Sequence, residues 1–143
     1  MTVKAILSRK GTEVVTIEPT ATVGDAVKLL NERRIGAVVV AGADRRIAGI
    51  ISERDVVRVL ALRGAQALDT AVADTMTRRV VTCSHNETVV DLMKRMTDGK
   101  FRHVPVIEEE RLVGIISIGD VVKSRLEEME RETEAMRDYI RSA

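Results

Sequence analysis

The sequence predicts an α+β fold built from two tandem β-α-β-β-α repeats, followed by a long C-terminal helix. The phrase GIISERDVV at residues 49–57 returns as GIISIGDVV at residues 114–122. The similarity extends upstream, where residues 14–43 align with residues 80–109. Within each copy, short β-branched runs alternate with helix-start signals. A duplicated supersecondary unit is therefore expected to form each half of the chain.

Each copy opens with a short strand and a helix. The run VVT occurs at 14–16 and again at 80–82, and it predicts a strand in both copies. Thr22 and Thr88 begin capping boxes of the form Thr-x-x-Asp, so a helix is expected to start at each threonine. On both helices apolar residues recur at i, i+3, i+4 and i+7, which predicts one buried face. These residues are Val23, Ala26, Val27 and Leu30 in the first copy and Val89, Leu92, Met93 and Met96 in the second.

A hairpin and a second helix complete each copy. The runs GAVVVAG and IAGIIS, and later HVPVI and LVGIIS, are joined by polar turns, which predicts two antiparallel strand pairs. Pro105 lies in one of these strands, where an edge or a bulge has to accommodate it. Ser52 and Ser117 then begin two more capping boxes, which end at Asp55 and Asp120.

The composition restricts the class of protein. The 143 residues include 23 basic and 22 acidic side chains, a balance that disfavours nucleic acid and anionic membranes as partners. Phe101 and Tyr139 are the only aromatic residues, which also disfavours base stacking on aromatic rings. No apolar run has the length of a bilayer span, and the first residues lack signal-peptide features. A cytoplasmic protein is therefore expected.

Residues suited to catalysis or metal binding are few. Cys83 is the only cysteine, and the two histidines, His85 and His103, lie too far apart for the usual metal-ligand spacing. Cys83 and His85 form the one arrangement suggestive of nucleophilic catalysis, because alternate residues at a strand end point to similar sides. No orienting or oxyanion-stabilising group accompanies them in the sequence. Neither an enzyme nor a metal site is expected.

The order of elements, doubled in one chain and closing on G-I-I-S-x-x-D-V-V, resembles the cystathionine-β-synthase (CBS) domain pair, or Bateman module. The resemblance covers nearly the whole chain and includes the apolar leads VKAIL (3–7) and VADTM (72–76). It implies two repeats packed through their sheets about a pseudo-two-fold axis. It also implies two clefts that bind AMP, ADP, ATP, S-adenosylmethionine or NAD. The expected segments are 1–66 for repeat one with its lead, 67–126 for repeat two and 127–143 for a helical extension.

Two serines and two aspartates are the first candidates for ligand contacts. Asp55 and Asp120 take the third helical position, where a carboxylate can accept hydrogen bonds from both hydroxyls of a ribose. Ser52 and Ser117 lie one turn earlier, beside free backbone N–H groups suited to phosphate or ribose oxygens. The alternative is that each pair only caps its helix. The resemblance implies the ribose role for both aspartates, and we expect both roles together.

The resemblance implies a second contact region at the start of the middle strand, where main-chain groups pair with adenine and a basic residue reaches phosphate. The corresponding residues are Lys100, Phe101, Arg102, His103, Val104 and Pro105 in copy two and Ile35, Gly36, Ala37 and Val38 in copy one. Arg102 is a planar donor suited to phosphate, and His103 lies beside it. In copy one the positive charge that binds phosphate would come from Arg33, Arg34 or Arg54, or from across the cleft. The two sites are therefore expected to be unequal.

Ordinary structural roles remain open for several of these candidates. Arg102 could be a solvated surface residue, and His103 could serve strand packing. Thr16 and Thr82, at the ends of the first strands, match a polar family position near the ligand but are also common β-formers.

The last part of the chain predicts an amphipathic helix. From Asp120 to Ala143 there is no Gly or Pro, and apolar residues alternate in steps of four and three. This heptad-like seam consists of Val122, Leu126, Met129, Thr133, Met136 and Ile140. It could pack on its own domain pair or on a second chain. The family's habit of forming disc-like dimers favours the second, so a homodimer is expected.

The expected function is a regulatory sensor that requires no cofactor. It binds an adenosine-containing ligand and passes the signal to an unidentified regulated protein, since no effector domain is recognisable in the sequence. The alternative is a nucleotide-free interaction scaffold, in which the clefts are relics and the terminal helix recruits a partner.

Overall fold

The computed structural model describes residues 1–142 and contains two related repeats. A lead helix, α1 (Val3–Lys10), precedes the first repeat. The first repeat consists of β1 (Thr16–Ile17), α2 (Val23–Arg33), β2 (Ala37–Ala41), β3 (Ile47–Ser52) and α3 (Glu53–Arg63). A 3-10 helix (Gly64–Asp69) and α4 (Val72–Thr75) form the connection. The second repeat consists of α5 (Val89–Gly99), β4 (His103–Glu108), β5 (Arg111–Ser117) and α6 (Ile118–Ser142).

The sheets have the expected hairpins. In the first repeat β2 pairs antiparallel with β3 and parallel with β1. In the second repeat β4 pairs antiparallel with β5. Both hairpins carry a register shift at the same place, after Val40 and after Val106, one residue beyond Pro105. The predicted α+β class is thus confirmed, and repeat one has the full β-α-β-β-α order.

The first strand of each copy differs from the sequence prediction. The run at 14–16 contributes only Thr16 to β1, and the run at 80–82 forms no strand. It is followed by a single parallel bridge between Cys83 and Val106. Arg95 Nη2 donates to the Thr82 carbonyl at 2.8 Å, so a side chain takes the place of a strand partner. Arg95 lies on α5, and the pattern of the strand itself carries no sign of this contact.

The helix starts are confirmed. Thr22 and Ser52 form complete capping boxes, in which the side chain accepts from the third helical N–H and the aspartate accepts from the cap N–H. Thr88 accepts from the Asp91 N–H at 3.1 Å. Ser117 likewise accepts from the Asp120 N–H at 3.1 Å. These caps satisfy backbone donors that have no partner within the helix, and so fix where each helix begins.

The two lead segments pack crosswise. Helix α1 precedes repeat one in the sequence, yet Val3, Ile6 and Leu7 are buried in the core of repeat two. The core of repeat one takes Val72 and Met76 from the segment that precedes repeat two. Each core is therefore completed by the lead segment of the other half of the chain.

The two repeats meet through their hairpins. Val39 and Ala41 of β2 are buried against Leu112 of β5 in a core of their own. Arg45, in the turn of the first hairpin, exchanges two hydrogen bonds with the Leu112 backbone, at 2.9 and 3.1 Å. This contact joins the two sheets.

Helix α6 is the second helix of repeat two and continues far beyond it. Val121 and Ser124 are buried against the repeat. By contrast, Leu126 and Met129 on another face are 55% and 53% exposed. Within residues 1–142 no helix combines the length and the apolar character needed to cross a bilayer.

Candidate ligand-binding cleft

A cavity of about 590 Å³ lies between the two repeats. Small-molecule sites commonly have volumes of about 300–1,000 Å³. Repeat one contributes Gly36, Ala37, Ile50, Ser52, Glu53, Arg54, Asp55 and Arg58 to its wall. The segment between α4 and α5 contributes Thr77, Arg79, Val80 and Val81, and the start of β4 with the residues before it contributes Lys100, Phe101, Arg102 and His103. We call this cavity the Asp55 cleft.

One backbone hydrogen bond positions each half of the site. The Glu53 N–H donates to the Gly36 carbonyl at 3.0 Å, and the Ile118 N–H donates to the Arg102 carbonyl at 2.8 Å. Each bond fastens the start of a motif helix to the start of a middle strand. A Cβ atom on Gly36 would lie 3.7 Å from His103 Cε1, so the two strand starts face each other. The cleft therefore joins equivalent parts of both repeats.

Asp55 is the buried carboxylate of this cleft, with 3% of its surface exposed. Its Oδ2 atom accepts from the Ser52 N–H at 2.9 Å and the Ser52 hydroxyl at 3.1 Å. Its Oδ1 atom accepts from the Thr77 hydroxyl at 3.0 Å and from the Arg58 guanidinium. A carboxylate offers about four acceptor positions, so all of them are occupied. Two of the four donors are hydroxyl groups.

Asp120, the equivalent residue of repeat two, has different neighbours. Its Oδ2 atom accepts from the Ser117 N–H at 2.9 Å and from Lys10 Nζ at 2.7 Å. The same ammonium donates to the Ile115 carbonyl at 2.9 Å. Burial raises the pKa of the Asp120 carboxyl, but hydrogen bonds from Lys10 and Ser117 outweigh burial and lower the pKa below its ordinary value. Asp120 and Ser117 are not among the residues that line the Asp55 cleft.

Positive charge predominates around the Asp55 cleft. The basic residues of its wall are Arg54, Arg58, Arg79, Lys100 and Arg102, against the acidic residues Glu53 and Asp55. Burial lowers the pKa of His103, and the positive charges of Lys10 and Arg102 lower it further. His103 is therefore neutral at pH 7 and offers one hydrogen-bond donor and one acceptor. This surplus of basic groups favours an anionic ligand.

The remaining candidates from the sequence lie outside this cleft. Val38 and Val104 are buried in the cores, and Pro105 pairs with Ile115 in the second sheet. Thr16 is exposed on β1, and the Thr82 carbonyl is bonded to Arg95. Ile35 lines a separate groove between α2 and α3.

Several residues of the two aspartate sites were not foreseen from the sequence. Arg58 could have been found, because residues three apart on a helix share a face and it lies three after Asp55. Thr77 reaches Asp55 from the segment that follows α4, and Lys10 reaches Asp120 from α1. No local sequence signal marks either contact.

The one arrangement suggestive of catalysis is not formed. Burial raises the pKa of the Cys83 thiol to about 12, and the negative charge of Glu87 adds to this effect. The thiolate is therefore scarcely populated at neutral pH. His85 Nδ1 lies 3.3 Å from Glu108 Oε1, so its close partner is a carboxylate.

The duplicated unit can be compared with known proteins. The CBS domain family model matches residues 3–62 and 72–127. This chain belongs to the CBS domain family. Both matched segments begin within the lead helices α1 and α4, which fits the observation that each lead completes a core.

Individual relatives support this membership. The curated CBS domain-containing protein CBSX3, mitochondrial, from Arabidopsis thaliana is 38% identical over 123 residues, which are 83% of this chain and 60% of that protein. The chain thus spans less than two thirds of that relative's length. The crystal structure of the CBS-domain containing protein ATU1752 from Agrobacterium tumefaciens is 52% identical, with a TM-score of 0.84, and the match covers 87% of this chain and 99% of that one.

A further solved structure contains ligands. The CBS domain pair of protein MJ0100 was crystallised in complex with 5′-methylthioadenosine and S-adenosyl-L-methionine. It is 26% identical, with a TM-score of 0.75, and the match covers 88% of this chain and 98% of that one. Similar CBS domain pairs therefore include a protein that binds adenosine-containing ligands.

Proposed function

We propose that this CBS domain pair is a regulatory sensor, which binds an adenosine-containing ligand in the Asp55 cleft and passes the signal to a partner protein without catalysing a reaction. One observation carries the proposal. A buried motif carboxylate lies in a roomy cleft whose opposite wall, from the other repeat, presents Arg102 and His103. Ribose hydroxyls and phosphate are the groups that such a pair of walls recognises.

The ligand would contact both repeats. Asp55 accepts hydrogen bonds from the ribose hydroxyls, and backbone groups at Gly36 and Ala37 pair with the adenine edge. Arg102 and Lys100 donate to phosphate from across the cleft. This arrangement supplies the phosphate charge that the start of the middle strand in repeat one lacks.

The charge of the cleft points to the class of ligand. AMP, ADP, ATP and NAD carry phosphate, which the basic wall attracts. S-adenosylmethionine carries a sulfonium cation, which the same wall disfavours. We therefore propose a phosphorylated adenosine ligand, although the relative MJ0100 binds S-adenosyl-L-methionine.

Signalling would follow from contact with both walls. A ligand shifts an equilibrium only by the difference in its affinity for the two states. Because the ligand touches the starts of β2 and β4 together, it favours the arrangement of the repeats in which both contacts form. The partner protein would then recognise the changed surface.

Calorimetric titration of ligand-free protein with AMP, ADP, ATP, NAD and S-adenosylmethionine tests the proposal, with GMP as the control. We expect saturable binding of a phosphorylated adenosine ligand and no binding of GMP. If none of these molecules binds, the clefts are relics, and the alternative of an interaction scaffold takes precedence.

We also propose that a second copy of the chain covers the seam of α6, giving a homodimer. Met136 and Ile140 of the seam are 64% and 70% exposed. In a parallel two-stranded coiled coil, residues at the g position face those at the following e position of the other helix. The facing pairs along this seam have opposite charge, namely Arg125 with Glu130 and Glu132 with Arg137.

The mass of the particle in solution tests the dimer. Light scattering after gel filtration should give twice the 15.8 kDa of one chain. The double variant Met129→Glu and Met136→Glu should shift the mass toward one chain, because like charges would meet in the seam. As a control, Glu134→Gln on another face should leave the mass unchanged. A monomeric native protein would refute the proposal.

A further inference from the structure

The motif aspartates of the two repeats are occupied by different groups, and we propose that Lys10 blocks the second ligand site. Its ammonium group binds Asp120 in the position that ribose hydroxyls of an adenosine ligand would use. The chain then binds one ligand, in the Asp55 cleft, rather than two. This inference rests on the proposed function, since it assumes that the motif carboxylates bind ribose.

At Asp55 the hydroxyl groups of a ribose can replace hydroxyl groups of the protein. The Ser52 hydroxyl donates to Oδ2 at 3.1 Å and the Thr77 hydroxyl donates to Oδ1 at 3.0 Å. The two hydroxyls thus hold one position on each carboxylate oxygen. A ribose also presents two neighbouring hydroxyls, so its binding replaces two hydroxyl–carboxylate hydrogen bonds by two of the same kind. Arg58 is 56% exposed in its side chain and can keep its contact with the carboxylate throughout.

At Asp120 a ribose hydroxyl has to replace a charged group, the Lys10 ammonium. Oδ2 accepts from the Ser117 N–H at 2.9 Å and from Lys10 Nζ at 2.7 Å, which fills the two acceptor positions of that oxygen. The Ser117 N–H is fixed by the helix cap. A ribose that binds both carboxylate oxygens therefore has to displace Lys10. The bond from Lys10 joins two opposite charges, whereas a ribose hydroxyl is an uncharged donor, so the exchange gives up this Coulomb attraction.

Lys10 is also held in place from two directions. Its ammonium donates to the Ile115 carbonyl at 2.9 Å, next to its contact with Asp120. Its helix, α1, is anchored in the core of repeat two by Ile6 and Leu7, which are 6% and 3% exposed. The ammonium is thus tethered beside the carboxylate by a packed helix. The corresponding partner of Asp55 from outside its own helix is the uncharged Thr77.

Calorimetric stoichiometry tests this inference. Lys10→Met keeps most of the hydrocarbon chain and removes the ammonium. With AMP, ADP, ATP and NAD as probes, we expect one ligand per native chain and two per Lys10→Met chain. Affinity at the second site should rise by about fivefold, which corresponds to the loss of a competing ion pair worth about 1 kcal/mol.

Two controls identify the site. Lys4→Met removes a charge from an exposed position of the same helix and should leave one ligand per chain. Adding Asp120→Asn to Lys10→Met should return the stoichiometry to one. If Lys10→Met does not fold, Lys10→Gln serves as the second variant, with the same expectation of two.

The outcomes separate this inference from the proposed function. Two ligands per native chain, or one per chain in both the native protein and Lys10→Met, would overturn the role of Lys10. Binding by Lys10→Met alone, abolished by Asp120→Asn, would support that role while refuting the Asp55 cleft. If no variant binds any of the probes, both proposals fail.

Discussion

Asp55 and Asp120 occupy the same position in two copies of one motif, and both cap a helix in the same way. Their other partners differ. Asp55 accepts from Thr77 and Arg58 and lines a cavity shared by both repeats, whereas Asp120 accepts from Lys10 of the lead helix. The motif thus determines the helix start, and the segments packed against it determine which protein groups bond to the carboxylate. Duplicated motifs in one fold can therefore place equivalent carboxylates in different surroundings.

The largest effect is expected where α1 completes the core of repeat two. Leu7 is 3% exposed, and its side chain would lie 2.8 Å from a Cβ atom on Gly114. Leu7→Ala should lower the free energy of unfolding by about 2–5 kcal/mol, since it leaves a cavity. Denaturant titration measures the change. Leu62→Ala, at a position 79% exposed, is the control and should change stability by about 0.5 kcal/mol or less. Equal stability of the two variants would show that α1 is not part of that core.

The next effect concerns the two aspartates directly. Asp55→Asn should weaken binding of the adenosine ligand by about 10- to 100-fold, because hydrogen bonds to a charged acceptor contribute about 1.5–3 kcal/mol. Asp120→Asn in the native background should leave this affinity within about twofold, since Lys10 already occupies that carboxylate. Titration calorimetry gives both values. A larger loss from Asp120→Asn than from Asp55→Asn would reverse the assignment of the cleft.

A third prediction tests whether repeat two contributes a phosphate contact to the Asp55 cleft. Arg102→Ala should weaken AMP by about tenfold, through the loss of a charge-assisted contact with phosphate. It should have little effect on adenosine, which has no phosphate. The ratio of the two affinities is the measurement. An equal loss for AMP and adenosine would mean that Arg102 does not bind phosphate.

The smallest effect is a pH dependence at Asp120. The pKa of Asp120 is lower in the folded chain than the ordinary value of 3.8. The ionised carboxylate therefore stabilises the fold fully at pH values above 3.8. This stabilisation is lost as the pH falls through the lower, folded pKa. Lys10→Met should therefore be less stable than the native chain at pH 7, by about 1 kcal/mol or less. The difference should shrink toward pH 3, as followed by urea unfolding at several pH values. A difference independent of pH would show that the ion pair does not stabilise the fold.

Much of the fold could be predicted because its signals are local. Thr22, Ser52, Thr88 and Ser117 mark helix starts, since a cap depends on a side chain and a backbone N–H three residues away. The buried faces of α2 and α5 follow from helical periodicity. The strand predicted at 80–82 does not form, and Arg95, from a different element, binds the Thr82 carbonyl instead.

The same reasoning predicts only part of the candidate site. Asp55 and Arg102 could be named from the motif and the resemblance, but the sequence did not show that they face one cavity. The duplication, the helix starts and the motif aspartates are recognisable from the sequence alone, because these depend on residues close together along the chain. The tertiary structure decided that α1 packs on repeat two and that Lys10 reaches Asp120 while Thr77 reaches Asp55. These contacts depend on how separately formed elements pack, and packing joins residues that no local pattern relates.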